Sequence, residues 1–167
     1  MKYVKLTGIV IILAVVLALA MYGNSFSTHY NNSLVGFDYP QDWELVYEYS
    51  SENDSLAEAP DTPGNLSDAL HTELRFEGPG IKSATVKIYM LYPELFKSIK
   101  EELNAGFTSK SFDDYTYYEQ LIDTKKDSRY VGILLREDMA CTIIITGTRS
   151  EVNSGFRMMV DSFKFNN

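Results

Sequence analysis

The run Cys141-Thr142-Ile143-Ile144-Ile145 leaves this chain few options. β-branched side chains favour extended backbone, and a run of them suits a strand in the middle of a sheet. Residues 115–122 and 130–136 read as two further strands before it, with residues 123–128 and the tight turn Glu137-Asp138 as connections. Upstream, Leu74 and Phe76 alternate with Glu73, Arg75 and Glu77, and Val86, Ile88 and Met90 share one face of residues 84–92. Gly78-Pro79-Gly80 between them is a turn signal and makes the pair a hairpin. Connections this short join antiparallel neighbours.

Two earlier strands complete the pattern. Residues 34–39 form a short one stopped by Pro40. Trp43, Leu45, Tyr47 and Tyr49 alternate with Asp42, Glu44, Val46 and Glu48. That period of two places the four on one buried face, with acids outside. Residues 50–68 are rich in Ser, Asn, Asp and Pro and read as a long loop, with a helical turn near residues 66–70.

Two helices are expected. Pro93 suits a first helical position, Leu95, Phe96, Ile99 and Leu103 form a stripe, and Gly106 ends it. Thr148-Arg149-Ser150-Glu151 has capping-box spacing, and Val152, Phe156, Met159, Val160 and Phe163 form the buried stripe beyond. Gly155 weakens that helix without excluding it. The fold class is therefore α+β, a central antiparallel sheet flanked by helices.

The first residues carry Lys2 and Lys5, and residues 6–23 carry no charge. A basic start before an apolar run is an export signal, and it places the remainder of the chain outside the cytoplasm. Eighteen uncharged residues are just enough to span a bilayer as a helix. The expectation is a single-pass anchor in the cell membrane over residues 1–23, a tether over 24–33 and a domain over 34–167. Cleavage after Ala20, in the small-x-small sequence Ala18-Leu19-Ala20, would make the product secreted. The membrane, reached through residues 6–23, is one partner; an unidentified protein is the other.

Charge is unevenly divided. Residues 24–74 hold ten acids and no Lys or Arg, whereas residues 75–167 hold 13 acids and 13 bases. A chain of net charge −8 is not expected to bind nucleic acid. The acidic stretch reads as a solvated edge, with Asp54, Glu58, Asp61, Asp68 and His71 as weak candidate metal ligands lacking EF-hand spacing. No cofactor is indicated. The single cysteine, Cys141, excludes an intrachain disulfide and reads as a buried thiol. His29 falls in the tether, so a triad would depend on His71 alone. No residue is assigned a catalytic role. Asn31, Asn53 and Asn65 open glycosylation sequons. Tyr115, Tyr117 and Tyr118 read as strand residues shared between core and surface, or as a carbohydrate or peptide platform.

Gly36-Phe37-Asp38-Tyr39-Pro40-Gln41-Asp42-Trp43 resembles the opening signature of the PsbP-like family: an aromatic, a polar residue, Tyr-Pro, two residues and Trp. Met159-Val160-Asp161-Ser162-Phe163-Lys164-Phe165 resembles the family's closing helix and its Ser-Phe-basic-apolar finish. The resemblance spans residues 34–167 but rests on these two patches. It implies an α/β/α sandwich. Photosynthetic members assist the water-oxidising complex of photosystem II; many prokaryotic relatives are exported, membrane-tethered and without known activity. None of the family's ion-binding or docking residues matches a position here, so a photosystem role is not carried over. The resemblance implies a non-catalytic accessory or binding domain. The alternatives are an extracytoplasmic hydrolase depending on His71 and an acidic cell-surface structural module.

Overall fold

The structure is a computed structural model that describes residues 27–51 and 69–166. Its elements are β1 (Ser27–Asn31), β2 (Val35–Pro40), β3 (Glu44–Ser50), β4 (Leu70–Glu77), β5 (Ile81–Met90), α1 (Pro93–Gly106), β6 (Thr108–Ser111), β7 (Thr116–Asp123), β8 (Ser128–Leu135), β9 (Met139–Gly147), α2 (Arg149–Ser162) and β10 (Lys164–Phe165). They form a seven-stranded sheet, β3-β4-β5-β9-β8-β7-β6, and a three-stranded sheet, β1-β2-β10. All pairings are antiparallel. The Ile-rich strand β9 is the middle strand of the seven, as its composition requires. Among the described residues no helix is long and apolar enough to cross a membrane; residues 6–23 lie outside them.

Each face of the large sheet buries a different cluster. On one face Leu74, Phe76, Val86, Ile88, Cys141, Ile143 and Ile145 meet Val35 and Phe37 of the small sheet and Val152, Phe156 and Met159 of α2. On the other, Tyr118, Leu135 and Ala140 meet Leu103, with Phe96 and Ile99 packed at the margin of the cluster. The expected single sheet between helices is thus modified: one outer layer is part sheet and part helix.

Three expectations are corrected. Residues 27–31, read as tether, form β1, because their backbone pairs register by register with β2 and Tyr30 is buried against Phe37. Glu151 does not close a capping box. The backbone N–H of Thr148 donates to the Gly80 carbonyl at 2.8 Å, and the helix starts without a side-chain cap. Trp43, Leu45, Tyr47 and Tyr49 do not share a face. The register steps from Leu45 opposite Phe76 to Tyr47 opposite Arg75, a bulge at Val46 that reverses the alternation. Leu45 packs against the core, while Tyr47 and Tyr49 turn outward at 43% and 39% exposure.

Trp43 itself is 4% exposed. A Cβ on Gly78 or on Gly155 would overlap the indole, so both positions must lack one. The ring thereby joins the β2–β3 turn, the β4–β5 turn and α2. Its Nε1 is buried, with no hydrogen-bond partner among the described residues. Replacing Trp43 by Ala is expected to cost ~3–5 kcal/mol. Gly155→Ala should be destabilising here, although Ala is the better helix former by ~1 kcal/mol. In the Trp43→Ala background the sign should reverse, and denaturant melts of the four proteins check it. Additive effects would show that the indole does not occupy the space above Gly155.

Candidate functional site

The residues singled out as ligands do not come together. Asp54, Glu58, Asp61 and Asp68 lie outside the described residues, as do Asn53 and Asn65. His71 sits near the start of β4, half-buried, with Nδ1 3.0 Å from the Thr72 hydroxyl. Glu73, two residues on, is buried and turned to cations: its carboxylate accepts from Arg75 Nε at 2.7 Å and lies 3.4 Å from Lys87 Nζ. Burial pushes the Glu73 carboxyl up, but Arg75 and Lys87 together outweigh it and the net shift is downward. Among the described residues no three His, Cys, Asp or Glu side chains are placed to share a metal ion. His29 is held on β1 by Asp38, with Nδ1 and Oδ1 2.7 Å apart. Asn31 is exposed, and its Oδ1 accepts from Asn166 Nδ2 at 2.9 Å. Cys141 is fully buried, which pushes its thiol upward and keeps it protonated.

The concave part of the surface lies elsewhere. Strand β6 overhangs α2, and between them opens a cleft of about 380 Å³. Its floor is Tyr117 and Glu119 of β7. Its walls are Thr108, Ser109 and Lys110 of β6, Arg157, Val160 and Asp161 of α2, and Phe112 with Tyr115 from the β6–β7 connection. Tyr117 and Glu119 share a face because they are two residues apart on one strand.

Glu119 organises the floor. Its Oε2 accepts from the Tyr117 hydroxyl at 2.7 Å and from Arg157 NH2 at 2.9 Å. Burial pushes the Tyr117 phenol far up, and the hydrogen bond to Glu119 and its charge push the same way. Burial works against the Arg157 charge, but Glu119 outweighs it and the guanidinium stays charged. Among the described residues the cleft is lined by two cations, two acids, two aliphatic hydroxyls, two phenols, Phe112 and Val160.

A second cleft of about 240 Å³ lies on the far side of Tyr115, against Arg136, Lys164 and Phe165. An aromatic column separates the two. Tyr115 stacks on Phe112 at 4.9 Å and meets Phe165 edge-on at 5.7 Å. Lys110 caps it at the Phe112 end and Arg136 at the Phe165 end. Of the three tyrosines marked in the sequence, Tyr117 and Tyr118 are core and Tyr115 lies between the clefts. Lys110, Glu119, Arg157 and Asp161 carried no sequence signal, since three separate elements bring them together.

No family model matches the sequence, and no curated protein matches it. Solved structures do. The solution structure of cyanobacterial PsbP (CyanoP) from Synechocystis sp. PCC 6803 has a TM-score of 0.50 at 12% identity, covering 84% of this chain and 93% of that one. The fold is PsbP-like. A crystal structure from Bacteroides thetaiotaomicron VPI-5482 has a TM-score of 0.49 at 11% identity, covering 80% of this chain and 45% of that one. At such identities the likeness is one of fold alone.

The phenols of Tyr89, Tyr115, Tyr117 and Tyr118 are all raised, in each case mainly by burial. A group whose folded value lies above its unfolded one stabilises fully below the unfolded value and loses that contribution as pH rises. Unfolded tyrosine titrates at ~10 and unfolded cysteine at ~8.5. Thermal stability is thus expected to hold near neutral pH, decline above about 8.5 as Cys141 contributes, and fall more steeply above about 10. Tyrosinate absorbance should lag in the folded protein and appear with unfolding. A full tyrosine titration without unfolding would contradict the buried phenols.

Proposed function

We propose that this chain is an extracytoplasmic, membrane-tethered and non-catalytic accessory or binding domain, which uses the cleft between β6–β7 and α2 to hold a partner. The observation that carries the reading is the state of the cleft's ionisable groups. Tyr117 and Arg157 are both committed to one oxygen of Glu119, and the phenol is held protonated. A phenol held protonated is not a base, and a guanidinium has no lone pair to offer. What the cleft offers instead is an open surface of fixed donors, acceptors and aromatic edges. The PsbP-like fold and the basic start before residues 6–23 support the rest of the reading.

The hydrolase reading loses support from the surroundings of His71. A hydrolytic base needs an orienting acid, and Glu73, the nearest acid on its strand, is bound to Arg75 and Lys87.

Two measurements test the proposal. Protease added to intact cells should digest the domain, and protection until lysis would overturn the tethered, outward-facing reading. A photo-crosslinking residue at Asp161, in the cleft, should capture a partner on intact cells. The same residue at Thr85, on the opposite face of the large sheet, should not. Equal capture at the two positions, or none at Asp161, would remove the cleft from the proposal.

A further inference from the structure

The large sheet ends in three stretches of outer edge, and two are blunted against further pairing. β3 carries the Val46 bulge and two exposed glutamates, Glu44 and Glu48. β6 is four residues long and carries Lys110. Short strands, bulges and edge charges are the usual devices that keep a sheet from adding strands. The third stretch has no bulge, and its one charge, Asp123, is paired with Arg149. β6 pairs only with residues 116–119 of β7, whereas β7 continues to Asp123 along β8 in unbroken register. Among the described residues no strand lies against the outer edge of residues 120–123.

All four of these residues are exposed, including two large apolar ones. Leu121 is 37% exposed and Ile122 is 41% exposed. As neighbours on a strand they project to opposite faces of the sheet, so an added strand would cover part of each. Immediately beyond the edge, the β7–β8 turn presents Lys125 and Lys126, both exposed. Of the other charges at this end, Asp127 is paired with Lys82, Asp123 with Arg149 and Glu119 with Arg157, while Arg129, opposite Ile122 on β8, adds a third cation with no ion pair among the described residues. The two turn lysines have no ion pair among the described residues.

We propose that the open edge of β7 at residues 120–123 receives an extended segment of a partner protein by strand addition. Antiparallel pairing is the more stable arrangement and matches the rest of the sheet. It sets the direction: the segment's leading end lies beside Lys125 and Lys126 and its trailing end stops against β6. The matching sequence therefore has acidic residues first, followed by alternating β-branched or aliphatic residues that cover Leu121 and Ile122. Backbone pairing supplies affinity, and the leading acids supply direction and on-rate. This surface is distinct from the cleft, so partner capture at Asp161 can fail or succeed independently of it.

The test uses the full chain in detergent and random dodecapeptides displayed on phage. The expected selection is for acidic residues leading alternating apolar ones. A synthetic copy of the selected peptide should slow amide exchange at residues 120–123. The Lys125→Glu/Lys126→Glu variant should bind it on the order of tenfold more weakly at low ionic strength. Ile122→Lys, which places a charge on the edge, should abolish binding. Both changes are at exposed positions and should leave the melting temperature close to that of the parent; if Ile122→Lys does not fold, the lysine pair decides alone. Protection confined to the cleft, unchanged affinity in the lysine variant, or no selected sequence would overturn the proposal. A concentration-dependent dimer dispersed by Ile122→Lys would also overturn it, by assigning the edge to a second copy of the chain.

Discussion

Everything on the inner side of this domain depends on how the Trp43 indole is seated. The ring needs a gap on two sides, and Gly78 and Gly155 provide it from the β4–β5 turn and from α2. A glycine in mid-helix is unfavourable in isolation. Here it lets α2 approach the sheet closely enough for Phe156 and Val152 to reach the cluster. The small sheet is held in the same layer by Phe37, which meets Phe76 of the large sheet and Phe163 beyond α2. Close-packed aromatic contacts of this kind accept few alternatives, because a cavity or an overlap of even one methylene is felt.

Polar groups follow a matching logic. Glu73 and Glu119 lie on opposite faces of the same sheet, and each collects two donors around one carboxylate: Arg75 with Lys87, and Tyr117 with Arg157. The second pair borders the cleft between β6, β7 and α2. The outer edge of β7 is open because β6 is four residues long and ends its pairing at Glu119.

Much of the secondary structure was legible. The stripe in α2 is buried at every position from Val152 to Phe163 that the period selects, and the hairpin turns at Gly78-Pro79-Gly80 and Glu137-Asp138 fall where turn chemistry requires. Local patterns failed where a partner strand intervened. β1, β6 and β10 are too short to show a clear period, and they exist because a neighbour satisfies their backbone. The bulge at Val46 is invisible in a run that alternates without interruption. The cleft was not legible at all: Lys110, Glu119 and Arg157 are ordinary charged residues until β6, β7 and α2 converge.

The sequence by itself determined the character of the chain. It set an antiparallel α+β domain with Ile143 at its centre, an inert Cys141, and Trp43 as a core anchor, since side-chain size, branching and period act locally. Even the resemblance in residues 36–43 and 159–165 was written in contiguous residues. Tertiary structure alone decided which faces these elements present to one another. It turned Tyr47 outward, gave Glu119 its two donors, and left the outer edge of residues 120–123 without a strand among the described residues. Such outcomes depend on register and layer width, which are properties of the assembled sheet and of no single segment.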